Sequence, residues 1–242
     1  MQRDSFKQHI SGQFNAELEA VKNNLLEMGG RVESQVALAV EALLARDSGQ
    51  AADVIAADQE VNSMQVKIDE ECAHILARRQ PAASDLRLVI AVAKVTTDLE
   101  RIGDEATKIA RQAITLSEQA QSRGGSAEVR QIGRHVGLML RSALDSFARQ
   151  DEIMAVNVVV DDDTVDSEYA SAMRSLVTFM MEDPHNIGPV LNEMWALRAL
   201  ERVGDHASNV AEQVIYLACG LDVRHMEPAE LRNYIQDNAG NT

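Results

Sequence analysis

The sequence is poor in the residues that build β-sheets and disulfide frameworks. Aromatic residues make up only 3% of the 242 residues, and cysteine occurs only at Cys72 and Cys219. Because strands favour aromatic and β-branched side chains, a core short of Phe, Tyr and Trp but rich in Ala, Leu, Val and Met favours helix packing. The two cysteines have no CxxC spacing, so we expect two buried thiols in a reducing compartment.

Positive charge is also scarce. The chain carries 23 Lys and Arg against 38 Asp and Glu, which gives a formal net charge of −15. Binding to a phosphate backbone requires a basic patch, and no cluster of Lys or Arg is dense enough to offset this background, so we expect no nucleic-acid binding. Small phosphate compounds are poor ligands for such a surface unless a metal ion lies between them and the carboxylates.

Long apolar runs are missing as well. No window of about 18 apolar residues occurs, which argues against a membrane-spanning helix. Residues 1–10 lack the apolar run and the small-residue cleavage site of a secretory signal. The sequence therefore predicts a cytoplasmic protein.

The few prolines leave room for long helices. Proline costs about 3 kcal/mol inside a helix, and it occurs only at Pro81, Pro184, Pro189 and Pro228. Between these breaks the apolar residues recur every three or four positions, as on one face of a helix. This pattern predicts six helices, near residues 6–46, 48–79, 84–122, 126–149, 152–182 and 187–219.

Polar residues and a glycine stand where the predicted helices need caps. The predicted N-caps are Asp47, Ser84, Ser126, Asp151 and Asn186, and Gly220 is predicted to end the last helix. One segment, residues 156–160, reads Val-Asn-Val-Val-Val and resembles a strand. The length of the surrounding pattern and the three aspartates that follow favour a helix there.

The helical pattern occurs twice. Asp47 and Asp151 are 104 residues apart and Glu100 and Glu201 are 101 apart, a difference that small changes in loop length explain. A repeat of this length indicates a duplicated structural unit, and three antiparallel helices with short loops form a bundle. We therefore predict an all-α protein of two tandem three-helix bundles. Residues 1–122 form the first repeat, residues 126–222 the second, and residues 223–242 a C-terminal tail.

Each repeat keeps an unfavourable pair of carboxylates beside an unfavourable glycine. The two copies of this motif are Glu100, Gly103 and Asp104 in the third predicted helix and Glu201, Gly204 and Asp205 in the sixth. Carboxylates four residues apart share a helix face and repel each other at a cost of about 0.2–0.5 kcal/mol. An interior glycine costs about 1 kcal/mol relative to alanine. Their repetition indicates a compensating contact, such as the close approach of another helix or of a bound ligand.

Further oxygen ligands lie in step with this motif. Asp58 and Asn62 in the second predicted helix correspond to Asp162 and Asp166 in the fifth. In a three-helix bundle these side chains can face the Glu/Asp pair of the same repeat. Four or more oxygens from two helices suit magnesium, manganese or iron(II), and suit zinc less well.

Ordinary ion pairing is the alternative interpretation of these carboxylates. In an acidic chain most such pairs are solvated helix surface. Four arginines near the motif are available to neutralise them, namely Arg87, Arg101, Arg198 and Arg202. The residues by themselves leave the metal and ion-pair interpretations both open.

No set of residues typical of catalysis is present. His206 follows Asp205 directly and lies about 100° round the helix from it, so it need not share the carboxylate face. The sequence has no HExxH motif, Walker loop, GxGxxG motif or nucleophile elbow. Without a nucleophile paired with a base, we predict that the protein is not an enzyme.

Three segments resemble the signature of the PhoU family. They are residues 77–87 (ARRQPAASDLR), 98–104 (DLERIGD) and 200–206 (LERVGDH), and the resemblance, including the duplication, covers nearly the whole chain. The repeated E(D)xxxD motifs of that family bind metal clusters in some members. Carried over by position, the resemblance implies metal ligands at Glu100, Asp104, Glu201 and Asp205, with Asp58 and Asp162 as further ligands from neighbouring helices. The implied cofactor is a divalent or multinuclear metal, with iron, manganese, magnesium and zinc all open.

The resemblance also implies a regulatory function. The PhoU family acts as a negative regulator of the phosphate-starvation response and of phosphate uptake, and it links the high-affinity phosphate ABC transporter to the sensor histidine kinase PhoR. A member is expected to be a non-enzymatic cytoplasmic adaptor, usually a homodimer. It would contact the kinase and the nucleotide-binding subunit of the transporter, and reach the membrane only through these partners.

Two other functions stay open. A metal-dependent phosphohydrolase would need the acidic clusters to hold two metals with an open position for water. An accessory regulator of a different, low-affinity phosphate transporter is the other alternative, because related helical proteins accompany such transporters.

Overall fold

The computed structural model describes residues 2–119, 126–224, 226, 230 and 231, with side chains from residue 12 onward, and contains six α-helices and no strand in this part of the chain. The helices are α1 (Gln2–Ala45), α2 (Ser48–Arg79), α3 (Ala83–Ser117), α4 (Ser126–Arg149), α5 (Glu152–Glu182) and α6 (Ile187–Cys219). A 3-10 turn, Pro184–Asn186, joins α5 to α6. The all-α prediction is confirmed, and the predicted bounds agree within a few residues except for α3, which ends at Ser117 instead of at residue 122.

Two aspartates at equivalent positions cap the second helix of each repeat. The Asp47 side chain accepts hydrogen bonds from the backbone N–H groups of Gly49 at 2.9 Å and Gln50 at 3.0 Å. The Asp151 side chain accepts one from the N–H of Met154 at 2.9 Å. Because the first turn of a helix leaves its N–H groups without helical partners, these bonds satisfy donors that would otherwise need water. Both predicted caps are confirmed.

The other predicted helix ends agree only in part. Gly220 ends α6 in the left-handed region, at φ +70°, as predicted. The residue that precedes α3 is Ala82, which makes no capping hydrogen bond, so the cap predicted at Ser84 is wrong. Ser84 lies inside the first turn of α3. Asn186 does precede α6, but its side chain makes no capping bond. Ser126 is the first residue of α4, and the residue before it lies outside the described part of the chain.

The strand-like segment 156–160 is helical, as predicted. It lies inside α5, where Val156 and Val158 are buried. Val159 and Val160 are partly buried against the same core. A helix that is covered on more than one side buries apolar residues at adjacent positions. The β-branched run therefore reflects the burial of this stretch of α5.

The motif-bearing helices lie at the centre of the molecule. Helices α1, α2 and α3 pack against one another, as do α4, α5 and α6, so each repeat is a three-helix bundle. The two bundles meet along α3 and α6 and along α1 and α4. Helices α2 and α5 contact only helices of their own repeat, apart from the 3-10 turn beside α5. Each repeat therefore has one central helix with the motif and one outer helix beside it.

Equivalent glycines let α1 and α4 approach each other at two places. A Cβ atom on Gly29 would lie 2.5 Å from Cδ2 of Leu144, and one on Gly133 would lie 2.9 Å from Cγ1 of Val40. Gly29 and Gly133 occupy equivalent positions in the two repeats, and so do Val40 and Leu144. An apolar side chain of the opposite helix thus packs against each glycine. The contact between the two bundles therefore has the same symmetry as the duplicated sequence.

The predictions about membrane spans and about the two cysteines are confirmed only in part. In the described part of the chain, no helix has a stretch long and apolar enough to cross a lipid bilayer. Cys72 is buried as predicted, and burial raises the pKa of its thiol to about 12. Cys219 is exposed, so the prediction of a second buried thiol is wrong. Cys219 is the last residue of α6, so no later turn of the helix covers its side chain.

Candidate metal centre

The glycines of the repeated motif make room for a carboxylate from the outer helix. A Cβ atom on Gly103 would lie 3.1 Å from Oδ1 of Asp58, and one on Gly204 would lie 3.4 Å from Oδ1 of Asp162. Asp58 belongs to α2 and Asp162 to α5. The close approach that the sequence predicts at these glycines is therefore present, and it brings Asp58 and Asp162 beside the motifs of their own repeats.

The second repeat gathers four acidic side chains between α5 and α6. Carboxylate oxygens of Asp166, Glu201 and Asp205 lie within 4.8 Å of one another. Asp162, one turn before Asp166, interacts electrostatically with all three. Oxygens at this spacing can converge on one cation, because magnesium and calcium bind oxygen ligands at about 2.0–2.6 Å. The arrangement has the ligand type and spacing of a site for a hard divalent cation.

Two oxygens of this cluster are buried without a hydrogen-bond partner among the described residues. They are Oδ1 of Asp162 and Oε2 of Glu201. The other oxygen of Glu201 accepts a hydrogen bond from Nη1 of Arg198 at 2.6 Å. A buried acceptor left without a partner costs about 1–3 kcal/mol, and a charged one costs more. Either a proton or a cation would remove this cost, so the donor set fits a bound metal ion.

The electrostatics of the cluster favour neutralisation. Burial, with repulsion from Asp205 and Asp166, raises the pKa of Asp162 to about 7. Burial and the neighbouring Asp205 raise the pKa of Glu201, and burial and Asp166 raise the pKa of Asp205. Without a counter-ion, burial and like charge both penalise the ionised form. A bound divalent cation would invert this preference, since it favours the ionised carboxylates.

In the first repeat, side-chain amides donate hydrogen bonds to Asp58, the aspartate that corresponds to Asp162. Oδ1 of Asp58 accepts a hydrogen bond from Nε2 of Gln35 at 3.3 Å, and Oδ2 accepts one from Nδ2 of Asn62 at 3.2 Å. Burial and repulsion from Asp104 raise the pKa of Glu100. Among the described residues, three carboxylates come within 4.8 Å of one another in the second repeat but not in the first.

Two differences in sequence explain why the repeats diverge. Gln35 and Asn62 of the first repeat correspond by position to Met139 and Asp166 of the second. Two amides therefore donate hydrogen bonds to Asp58, whereas Met139 offers no N–H donor and Asp166 adds a negative charge. The second repeat is consequently the better candidate for a cation.

The structure brings together most of the predicted ligands and adds one residue, Gln35. Glu201 and Asp205 lie in one cluster with Asp162, and Asp58 lies beside the motif that contains Glu100 and Asp104. Asp166 was predicted as an oxygen ligand from its position four residues after Asp162, although the family resemblance did not imply it. Gln35 was missed. It is 4% exposed and stands in the apolar stripe of α1, where a buried polar residue calls for a partner.

Ordinary ion pairing accounts for only one of the carboxylates. Arg198 pairs with Glu201, but Arg202 pairs with Glu105, which lies outside the motif, at 3.0 Å. Arg87 lies against Gly220 at the end of α6. No ion pair within 4.0 Å involves Arg101 in the part of the chain that the structure describes. Among the described residues, no arginine therefore forms an ion pair with Asp162, Asp166 or Asp205, although Arg198 and Arg202 act on Asp205 from a greater distance.

His206 lies apart from the carboxylate cluster. Its Nδ1 atom is 2.9 Å from Oδ1 of Asp98 on α3, and the same oxygen accepts a hydrogen bond from Asn209 at 3.2 Å. This contact joins the central helices of the two repeats, so His206 has a structural role at the junction between the bundles.

The raised pKa of Asp162 predicts a pH-dependent stability for the metal-free protein. The unfolded chain loses this proton near the ordinary value of 3.8, but the folded chain holds it up to about 7. Since the folded state binds more protons between these values, stability should fall by about 1–3 kcal/mol as the pH rises from 4 to 7, and level off above it. Urea unfolding in chelator at several pH values measures this slope.

The variant Asp162→Asn should flatten part of that slope. The remainder should persist because Glu201, Asp205 and Glu212 also have raised pKa values. The matched control is Asp163→Asn, which changes an exposed aspartate on the same helix and should keep most of the slope, because Asp163 adds only one of the repulsions that raise the pKa of Asp162. An unchanged slope in Asp162→Asn would contradict the assignment of the pKa to this residue.

Fold and site together define a class of protein. The chain is a duplicated helical protein in which the central helix of each bundle carries an E-R-x-G-D motif facing an aspartate from the outer helix. The chain belongs to the PhoU family, because the PhoU domain matches residues 25–113 and, a second time, residues 129–214. The two matches confirm the duplication.

Relatives resemble the chain along nearly its whole length. It is 56% identical over 238 residues to the phosphate-specific transport system accessory protein PhoU homolog of Pseudomonas aeruginosa, which covers 98% of each chain. It is 46% identical over 228 residues to the phosphate-specific transport system accessory protein PhoU of Escherichia coli K12, which covers 94% of each chain.

Two crystal structures resemble the fold. PhoU from Pseudomonas aeruginosa matches with a TM-score of 0.84 and 59% identity, over 86% of this chain and 100% of that one. The phosphate transport system regulatory protein PhoU from Streptococcus pneumoniae matches with a TM-score of 0.79 and 28% identity, over 87% and 99% of the two chains.

Proposed function

We propose that this protein is a non-enzymatic accessory protein of a phosphate-specific transport system. The observation that carries this proposal is the similarity, over 98% of the chain and at 56% identity, to a protein of that name. This similarity supports an accessory role along the whole aligned length. Among the described residues the cluster consists of carboxylates alone, and no serine, cysteine or histidine joins them in a nucleophile–base pair.

The finer proposal concerns regulation. The protein acts as a cytoplasmic negative regulator of the phosphate-starvation response and of phosphate uptake. It does so as an adaptor between the high-affinity phosphate ABC transporter and the sensor histidine kinase PhoR. It docks with the kinase and with the nucleotide-binding subunit of the transporter, and it works as a homodimer. The support is the family membership together with the motif segments that resemble the family signature.

A divalent cation is part of the proposal. Asp162, Asp166, Glu201 and Asp205 would hold it in the second repeat, and Asp58, Glu100 and Asp104 would form a weaker site in the first. Iron, manganese, magnesium and zinc are the candidates, with oxygen ligands favouring the harder ions. The bound cation supplies positive charge. The support is the pair of buried, unpartnered oxygens on Asp162 and Glu201.

A pull-down from cells grown in high and in low phosphate tests the adaptor directly. The tagged full-length protein should retain both the kinase and the nucleotide-binding subunit, and the amount retained should change with phosphate supply. Recovery of a different phosphate transporter in place of the ABC transporter would favour the alternative accessory role. Recovery of neither partner under both conditions would count against the proposal. The matched control is the same tag without the protein.

A further inference from the structure

An exposed apolar stripe runs along the first turns of α6. Ile187, Leu191 and Trp195 follow one another at four-residue spacing, so they lie on one face of the helix. They are 44%, 43% and 64% exposed. On α5, Val177 and Met181 have the same spacing and are also exposed. Amphipathic helices in a bundle normally turn such residues toward the core, so this stripe is not explained by the fold of the repeat.

The contacts between α5 and α6 place these residues at one end of the hairpin. The guanidinium of Arg198 lies 5.9 Å from the centre of the Tyr169 ring, and Asp166 approaches Glu201 and Asp205. The two helices are therefore antiparallel in a register that brings later residues of α5 level with earlier residues of α6. The same register, followed toward the turn between the two helices, places the exposed row on α5 beside the exposed row on α6. We call the resulting surface the Trp195 patch, formed by Val177, Met181, Ile187, Leu191 and Trp195.

The first repeat keeps only part of this surface. The residues at the positions equivalent to the Trp195 patch are Ala73, Ala77, Leu86, Ile90 and Lys94. Leu86 and Ile90 keep the apolar character of Ile187 and Leu191, but the first repeat has lysine in place of tryptophan and alanine in place of valine and methionine. Since it forms the same three-helix bundle, Trp195, Val177 and Met181 are not required for folding of the unit, and their presence in the second repeat points to a contact made there.

Basic side chains border the Trp195 patch. Arg198 follows Trp195 by one turn, and Arg174 is exposed on α5 three residues before Val177. The Arg198 side chain is 48% exposed, although it also pairs with Glu201. In a chain of net charge −15, these two exposed arginines give the border of the patch positive charge. Acidic Glu182 and Asp183 lie beyond the patch, at the tip of the hairpin.

We propose that the Trp195 patch is the docking surface for an amphipathic, acidic helix of a partner protein. The apolar side of that helix packs on Trp195, Leu191 and Val177, and its acidic flank faces Arg174 and Arg198. Tryptophan and arginine are the residues most enriched among those that dominate binding energy, and helices commonly bind in apolar grooves through residues at i, i+4 and i+7. The stripe from Ile187 to Trp195 is about 12 Å long, which matches two turns of a partner helix. The proposal rests on the adaptor function, for which it names the surface.

The single tryptophan makes the patch observable. Because Trp195 is the only tryptophan in the chain, full-length protein labelled with 5-fluorotryptophan gives one 19F resonance. The probes are the purified cytoplasmic region of the sensor kinase and the purified nucleotide-binding subunit, added separately and unlabelled. At least one of them should shift or broaden the resonance, and its affinity should fall as salt is raised, since the flanking contacts are charged.

Substitutions locate the contact. Trp195→Lys installs the first-repeat residue at an exposed position, so the protein should stay folded by circular dichroism while binding weakens at least about 10-fold. Arg174→Glu should weaken binding in the same direction, because it reverses a positive charge at the border of the patch. Its matched control is Arg130→Glu, the same charge change at an exposed position on α4, which should bind as the unchanged protein does.

The outcomes separate this proposal from the proposed function. Binding of a probe with an unmoved resonance and full affinity in Trp195→Lys would overturn the docking surface and leave the adaptor function standing. Binding of neither probe would overturn both. A resonance that moves on dilution of the protein alone would show that a second copy covers the patch, and would overturn the assignment to a partner helix.

Discussion

Replacing Glu201 by Gln and Asp205 by Asn together should weaken binding of manganese by at least about 100-fold, the upper end of the loss seen when only an outer-shell partner of a metal is removed. The same pair of changes at Glu100 and Asp104 should weaken total binding less. In the second repeat, Asp162 and Glu201 each have a buried oxygen without a partner among the described residues. In the first, Gln35 and Asn62 already donate hydrogen bonds to the aspartate.

Titration calorimetry with manganese on chelator-treated protein measures this difference, and elemental analysis of protein purified without chelator shows what the cell supplies. Asp163→Asn is the matched control, because it removes an exposed acidic charge next to Asp162 and should leave affinity nearly unchanged. Equal metal content in the unchanged protein and in the Glu201→Gln, Asp205→Asn variant would remove these residues from the ligand set. A larger loss in the first-repeat variant would reverse the assignment of the stronger site.

Deleting the gene should switch on phosphate-responsive genes in phosphate-rich medium, to the level that the parent strain reaches only in starvation. The physical reason is the proposed adaptor: without it, the kinase no longer receives the state of the transporter. A promoter fusion to a fluorescent protein, read in high and low phosphate, measures the effect. Restoring the unchanged gene should return expression in high phosphate to the low level.

The complementing variants refine this result. If the cation holds the regulator in its active arrangement, the Glu201→Gln, Asp205→Asn variant should restore repression poorly, while Asp163→Asn should restore it fully. Unchanged expression after deletion would count heavily against a regulatory role. Turnover of phosphoesters by the metal-loaded protein, lost on changing Asp104 and Asp205 to Ala, would favour a phosphohydrolase.

Periodicity along the chain was sufficient to predict the secondary structure and the duplication. Apolar spacing, prolines and the paired caps Asp47 and Asp151 act within a few residues, so they can be read without knowing how distant segments meet. The cap at Ser84 was mispredicted because capping depends on backbone geometry at the turn: α3 starts at Ala83, one residue earlier. The length of the surrounding pattern correctly predicted a helix for the strand-like segment 156–160. Its β-branched composition reflects burial in the tertiary structure, which the local sequence does not reveal.

The candidate site was predictable in kind but not in detail. The repeated glycine predicted a close approach, but only the tertiary structure shows that the approaching group is the carboxylate of Asp58 in one repeat and of Asp162 in the other. The difference between the repeats also depends on α1 and α4, because Gln35 reaches Asp58 from a helix distant in sequence. No local pattern links these positions.

The sequence by itself therefore determines the all-α class, the long helices, the repeat and the motif, because composition and the spacing of neighbours along one helix are enough to predict them. Packing of separate helices decides the rest. It leaves the second repeat with three carboxylates within 4.8 Å, it pairs Arg202 with Glu105, and it leaves Trp195 exposed. Side chains from different helices meet only when the bundle forms, and their burial and charge then depend on the distances between helices.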